Sequence, residues 1–149
     1  MYVSKYTYIE MNDFFKSQTI QASDTPTEIL NKIAFATKNE VFLNIAILKL
    51  IASPITYPSI TNHIYTMLKE TATTYKTVIV HAYLKTINLS DLDKHKTFVM
   101  DMIKKCNDEL PDILDVCYLY KAPFVFAQIY SIISVVIDKE TRQKIHIVK

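Results

Sequence analysis

Apolar residues are distributed along the chain in runs that predict strands. Continuous runs rich in Val, Ile, Leu and Tyr occupy residues 41–51, 75–84 and 114–120. Such runs are typical of strands that are buried on both faces of a parallel sheet. A short run at residues 145–148 predicts a fourth strand, and weak alternation over residues 2–15 predicts an amino-terminal strand or arm.

The segments between these runs have helical spacing. Residues 59–73 carry apolar side chains three and four positions apart, and residues 90–110 open with the capping hydroxyl of Ser90. Further helices are predicted at residues 26–36, where Pro26 suits the first helical turn, and at residues 123–137. Alternating strands and helices predict an α/β fold, with a mostly parallel β-sheet and flanking helices.

The 149 residues include no glycine. P-loops, dinucleotide-binding fingerprints and nucleophile elbows all require glycine, so the sequence excludes these classes of site. Turns that need a positive φ must use other residues. We expect Asn and Asp to take these positions, for example Asn39, Asn88 and Asp138. The abundance of Ile, Lys, Thr and Tyr indicates an A+T-rich coding genome, such as that of a large DNA virus.

Charge and cysteine content narrow the function further. A net charge of +2 provides no extended basic surface, so we expect no nucleic-acid partner. Cys106 and Cys117 have no histidine at metal-ligand spacing, and we expect reduced thiols and no metal.

The paired acids Asp91 and Asp93 fall at an expected helix end, where capping explains them without catalysis. No apolar run is long enough to span a bilayer. With reduced thiols, we expect a cytoplasmic protein that is peripheral to membranes.

Three motifs lie in the carboxyl-terminal part of the chain. They are Leu110-Pro111-Asp112, Lys121-Ala122-Pro123-Phe124-Val125-Phe126 and a segment from Asp138 to Ile145 that ends in Lys-Ile. In order and spacing they resemble the Tyr-Pro-Glu, Asn-Ala-Pro-Phe-x-Phe and Lys-Ile motifs of the CRAL-TRIO domain family. This family includes the fungal phosphatidylinositol transfer proteins.

The turn before the long helix also resembles the family. Ser90 matches it, whereas Thr86 stands where the family usually has glycine. Compared with the family, we expect the chain to be reduced at both ends. It would form a single CRAL-TRIO-like domain over residues 1–149, in which residues 1–35 are a reduced amino-terminal lobe.

The resemblance implies a lipid headgroup site. In family members that bind phosphatidylinositol, an acid and a lysine hold the headgroup, and the matching residues are Asp112 and Lys144. A carboxylate accepts hydrogen bonds from sugar hydroxyls and an ammonium group pairs with a phosphate. Without a ligand, Asp112 would only end a turn and Lys144 would only extend to solvent. Val78 and Val80 lie near positions that phosphatidylcholine binders fill with small polar residues, so we expect phosphatidylinositol or a phosphoinositide.

The helix predicted at residues 124–137 corresponds to the gate region of the family. Apolar residues cover too much of its circumference for a surface helix. We interpret them as lipid-tail or gate residues: Phe124, Phe126, Ile129, Ile132, Ile133, Val136 and Ile137. Burial against the sheet, a membrane-facing patch or a dimer interface would also account for them.

Two functions agree with this pattern. The first is a non-enzymatic protein that binds or transfers phospholipid at a peripheral membrane surface, with no cofactor other than the lipid. The alternative is a protein-interaction or self-association module, derived from a CRAL-TRIO domain, that no longer holds lipid and forms a homo-oligomer.

Overall fold

The structure, a computed structural model, describes residues 8–148. Five strands form one sheet in the order β1-β2-β3-β4-β5. Their bounds are Ala34–Thr37 (β1), Glu40–Asn44 (β2), Val78–Tyr83 (β3), Leu114–Tyr120 (β4) and Ile145–Ile147 (β5). β1 and β2 form an antiparallel hairpin, and the other three pairings are parallel. The predicted α/β fold with a mostly parallel sheet and flanking helices is confirmed.

Helices connect the strands. Within the described residues they are α1 (Tyr8–Ser17), α2 (Pro26–Ile33), α3 (Ile45–Ile51), α4 (Tyr57–Tyr75), α5 (Leu89–Glu109), α6 (Phe126–Ile133) and α7 (Lys139–Gln143). A 3₁₀ turn, Ser134–Val136, follows α6. The parallel strands β2 to β5 are adjacent in chain order, so right-handed crossovers place the connecting helices on one face of the sheet.

α1 covers the opposite face. Met11 and Phe15, one helical turn apart, are buried against Phe42, Tyr83 and Tyr120. The Phe15 ring stacks on that of Tyr83, with the centroids 5.0 Å apart. The sheet is therefore enclosed by several helices on its crossover face and by α1 on the other.

A buried hydrogen-bonded chain lies on the face that α1 covers. His81 Nε2 lies 2.9 Å from Glu40 Oε1, and His81 Nδ1 lies 2.8 Å from the Tyr120 hydroxyl. Burial lowers the pKa of His81, and the neighbouring Glu40 opposes this shift. A neutral ring can donate to Glu40 and accept from Tyr120, so both ring nitrogens are satisfied without a buried cation.

The amino-terminal prediction is wrong in two places. Residues 8–15 are helical and not extended, while residues 2–7 of the predicted arm lie outside the described residues. The helix predicted at residues 26–36 begins at Pro26 as expected. It ends at Ile33, and the chain continues as β1 because Phe35 and Ala36 pair with Phe42 and Val41.

The apolar run at residues 41–51 is not one strand. It divides at Asn44, whose side chain accepts a hydrogen bond from Ile47 N at 3.1 Å and caps α3. The strand ends there because the side-chain cap satisfies a helical amide and the next residues turn into the helix.

The helix predicted at residues 123–137 is shorter in the structure. α6 begins at Phe126, ends at Ile133 and gives way to the 3₁₀ turn. Ile137 is extended, with a φ of −110°, and Asp138 then caps α7 by accepting a hydrogen bond from Thr141 N at 2.7 Å.

Among the described residues with a positive φ, Asp112 is of an expected residue type, and the others are lysine or threonine. These residues are Lys38, Lys76, Thr86, Asp112 and Lys121. The expectation for Asn39, Asn88 and Asp138 is wrong. Asn88, with a φ of −137°, and Asp138, with a φ of −69°, are instead the capping residues of α5 and α7.

Candidate functional site

An apolar cavity of about 380 Å³ lies between the sheet and the helices of the crossover face. Its floor includes Val78, Val80 and Ala82 of β3 and Cys117 and Leu119 of β4. These residues alternate along their strands, so they share one face of the sheet. The volume is within the range of about 300–1,000 Å³ typical of small-molecule sites.

α5 forms a wall along the whole cavity. Its lining residues recur three and four positions apart and lie on one face of the helix: Leu92, His95, Val99, Met102, Ile103 and Cys106. A capping box fixes the start of the helix, since Asn88 Oδ1 accepts from Asp91 N at 2.9 Å and Asp91 Oδ2 accepts from Asn88 N at 3.1 Å. The register of this wall is therefore set at its amino-terminal end.

Both predicted headgroup residues line the cavity. Asp112 precedes β4 and Lys144 precedes β5, so they lie beside the amino-terminal ends of neighbouring parallel strands. Lys144 Nζ is 3.8 Å from Glu140 Oε1, and the lysine side chain is 29% exposed. The structure thus places the pair at one end of a single cavity, and their binding role stays a prediction.

Further acids surround this end of the cavity. Asp138 and Glu140 also line it, and the hydrogen bond from the Thr141 backbone lowers the pKa of Asp138. We call Asp112, Asp138, Glu140 and Lys144 the acidic mouth, because three carboxylates there accompany one ammonium group. The sequence motifs identified two of these four residues.

A second polar group lies at the other end of the cavity. Lys49 Nζ donates to Asp91 Oδ2 at 2.8 Å and to the backbone oxygen of Thr86 at 2.6 Å. His95 Nδ1 lies 2.6 Å from the Tyr57 hydroxyl. We call Lys49, Asp91 and His95 the inner polar group, since all three line the cavity. Burial is the largest single influence on the pKa of Asp91 and raises it. The hydrogen bonds from Lys49 and the Asn88 backbone, with the nearby positive charge, together outweigh burial and leave that pKa lowered.

Sequence reasoning missed this second group because Lys49 lay inside a predicted strand. The signal that would have found it is Asn44, a strong helix-capping residue in the middle of an apolar run. Once α3 begins at Ile45, Lys49 falls in its last turn, next to the start of α5.

The predicted tail or gate residues divide into two sets. Phe126, Ile129, Ile133 and Ile137 line the cavity. The remaining three, Phe124, Ile132 and Val136, do not belong to the lining, and the Phe124 side chain is fully exposed. Val135 is also 74% exposed. The apolar excess around α6 is therefore shared between the cavity wall and exposed positions.

Both cysteines are free thiols in the cavity wall. Burial raises the pKa of Cys106 to about 11 and that of Cys117 to about 12. Thiols with such pKa values stay neutral at pH 7. They therefore add apolar surface to the cavity wall and are poor nucleophiles.

Within residues 8–148, no cluster of three His, Cys, Asp or Glu side chains could hold a metal ion. In the same part of the chain, no helix combines the length and the apolar character needed to cross a membrane.

Comparison with protein families identifies the family to which a protein with this fold and this cavity belongs. A family model described as the CRAL/TRIO domain matches residues 60–149, which include β3 to β5 and both predicted headgroup residues. The chain therefore belongs to the CRAL/TRIO domain family, a family of lipid-binding and lipid-transfer proteins. The resemblance of the carboxyl-terminal motifs is confirmed.

Among solved structures, the crystal structure of Sfh5, a Sec14-like protein, is similar, with a TM-score of 0.67 and 12% sequence identity. The match covers 94% of this chain and 57% of that chain, so this chain spans little more than half the length of that protein. At this identity the likeness shows the fold. A comparison with curated proteins gave no match.

Proposed function

We propose that this protein binds one phospholipid without catalysing a reaction and transfers or presents it at membranes. The observation that carries the proposal is the distribution of charge in the cavity. Its charged lining residues belong to the acidic mouth or to the inner polar group, and the residues between them are almost all apolar. Acyl chains fit such an interior, because transfer of apolar surface from water drives their burial.

The acidic mouth supports phosphatidylinositol as the ligand. Lys144 would pair with the single phosphate, and Asp112 would accept hydrogen bonds from inositol hydroxyls. Further phosphates on the ring would meet the carboxylates of Asp112, Asp138 and Glu140, which favours phosphatidylinositol over polyphosphorylated phosphoinositides. Val78 and Val80 on the floor offer no side-chain hydrogen bond to a phosphocholine group.

The exposed residues near α6 support action at a peripheral membrane surface. Phe124 and Val135 lie just before and after a helix that lines the cavity, and both expose large apolar side chains. In this proposal they contact the bilayer while the lipid enters or leaves. We take residues 1–149 as one CRAL-TRIO-like unit with a reduced lobe at residues 1–35. A cytoplasmic location and a viral source stay predictions.

Lipid analysis of the purified protein tests the ligand. We expect phosphatidylinositol among the copurified lipids, identified by mass spectrometry, and transfer of fluorescent phosphatidylinositol between liposomes. Lys144→Ala should weaken phosphatidylinositol binding about tenfold, because a charge-assisted hydrogen bond is lost. Asp112→Asn, which tolerates the positive φ at this position, should weaken it less.

The matched control is Lys139→Ala, since Lys139 is exposed and does not line the cavity. It should leave phosphatidylinositol binding unchanged. A protein that carries no lipid and shows no affinity for liposomes would contradict the proposal.

The alternative function, a self-association module, is favoured by the same exposed Phe124 and Val135. Sedimentation separates the two functions. If the protein binds lipid, we expect a monomer in solution, and Phe124→Ser should leave its oligomeric state unchanged. If it is a self-association module, we expect a dimer that Phe124→Ser dissociates.

A further inference from the structure

His95 is a buried polar residue in an apolar wall. It is 5% exposed and lines the cavity from α5. Its Nδ1 lies 2.6 Å from the Tyr57 hydroxyl. Among residues 8–148 no hydrogen bond to its Nε2 is found, and this atom keeps some accessible surface, since Asn12 Oδ1 is the fully buried side-chain polar atom without a partner there. A ring nitrogen that keeps accessible surface in the wall of an apolar cavity is available to a polar atom of a ligand.

The pairing with Tyr57 indicates which nitrogen carries the proton. A separation of 2.6 Å is typical of an O–H donor and shorter than most N–H···O bonds. Burial and the nearby Lys94 lower the pKa of His95, so the ring is neutral at pH 7. With the Tyr57 hydroxyl donating to Nδ1, the proton lies on Nε2, which is then a donor towards the cavity.

Lys49 adds a second donor at this end. Its ammonium group has three N–H bonds, and Thr86 O and Asp91 Oδ2 accept two of them. The ion pair with Asp91 makes the inner polar group neutral as a whole. A neutral oxygen, such as that of a hydroxyl or a ketone, therefore fits this group better than a second anionic headgroup.

The geometry of α5 gives the distance between the two ends. From His95 to Leu110, beside the acidic mouth, fifteen residues at about 1.5 Å each correspond to about 22 Å. Half of the hydrocarbon thickness of a bilayer is about 15 Å. An oxygen that reaches His95 while the headgroup lies at Asp112 and Lys144 therefore belongs to the far end of an extended chain, and not to the ester linkage.

We propose that the inner polar group selects lipids whose chain carries a hydroxyl or keto oxygen near its far end. His95 Nε2 donates to this oxygen, Lys49 is the second donor, and Tyr57 is a positioning residue that fixes the His95 tautomer. The inference rests on the proposed lipid-binding function, and it adds specificity for the chain to specificity for the headgroup.

Competition between two fatty acids tests the proposal. Hexadecanoic acid and 16-hydroxyhexadecanoic acid displace a bound fluorescent fatty acid, and the ratio of their affinities is measured. We expect the wild-type protein to prefer the hydroxy acid about fivefold, the value of one net hydrogen bond. His95→Leu should abolish the preference and Tyr57→Phe should reduce it. His146→Gln, an exposed histidine outside the lining, should retain it.

The outcomes are distinguishable. Equal affinities in the wild-type protein, or no binding of either acid by a protein that still binds phosphatidylinositol liposomes, would overturn the inference and leave the proposed function intact. No binding of either acid and no binding of these liposomes would overturn both. Lys144→Ala should weaken both acids equally. If it abolished the preference instead, the carboxylate would lie at His95 in a reversed orientation, and the inference would be wrong. Circular dichroism of each variant checks that it is folded.

Discussion

At the residue scale, the glycine-free composition places unusual side chains in the left-handed region. Thr86, with a φ of 71°, is β-branched and follows β3 in the turn where the family usually has glycine. For such a residue this region costs about 1–2 kcal/mol, because Cβ approaches the following carbonyl. The same residue's carbonyl accepts a hydrogen bond from Lys49. The strained turn is therefore held by a contact of the inner polar group.

We expect Thr86→Gly to raise the free energy of unfolding by about 0.5–1 kcal/mol. Relief of the left-handed strain exceeds the added entropy of glycine in the unfolded chain. Urea denaturation measures the change. Thr74→Gly, at an exposed position inside α4 with a helical backbone, is the control and should lower stability slightly. A less stable Thr86→Gly protein would show that the turn is not strained.

At the element scale, α1 is the helix that covers the far face of the sheet within the described residues. Phe15 is 1% exposed and contacts Tyr83, Tyr120 and Phe42, one residue from each of three strands. A single aromatic side chain thus links α1 to the centre of the sheet.

Phe15→Ala should lower the free energy of unfolding by about 3–5 kcal/mol, the usual cost of a large cavity in a core. The matched control is Phe124→Ala, because that phenylalanine is fully exposed and its truncation should change stability by less than about 0.5 kcal/mol. Thermal or urea unfolding of both variants gives the comparison. Similar losses in the two would contradict this view of the core.

Sequence alone predicted the elements whose pattern is unambiguous. β4 has the predicted bounds, and α5 differs from its prediction by one residue at each end, because strong caps and a continuous apolar run define them. The division at Asn44 escaped prediction, since a fully apolar segment has no periodicity that separates a strand from a helix. α1 was missed although Met11, Phe14 and Phe15 have helical spacing.

The candidate site was predictable only where a motif marks it. Asp112 and Lys144 stand in family motifs, and the structure places both in the cavity lining. His95 and Lys49 belong to no motif. Their proximity depends on α3 and α5 meeting at the same end of the sheet, and this is a tertiary arrangement that local patterns do not encode.

At the scale of the whole molecule, the fold assigns different tasks to the two faces of the sheet. The crossover face contains the cavity, while the α1 face contains a closed aromatic and polar core. The residues that line the cavity include members of β3, α5 and α6, and none of them belongs to α1. Ligand binding should therefore stabilise the molecule unevenly.

Hydrogen exchange should show this difference. Addition of phosphatidylinositol liposomes is expected to slow amide exchange in α6 and in the 3₁₀ turn at Ser134–Val136, because the ligand fills the space behind them. Amides of α1 should change little. Lys144→Ala protein, with weaker binding, should show a smaller effect at the same lipid concentration. Protection confined to α1 would exclude the cavity as the binding site.

Because α5 forms a continuous wall of the cavity, its length also sets the distance between the two polar ends of the cavity. Its cap at Asn88 lies about two turns before His95, and Asp112 follows its last turn by three residues. On the two-anchor proposal, the length of lipid that satisfies both ends is set by the number of helical turns between them. Each turn gained or lost would shift that length by about 5.4 Å, so substrate length could evolve without any change in the binding residues.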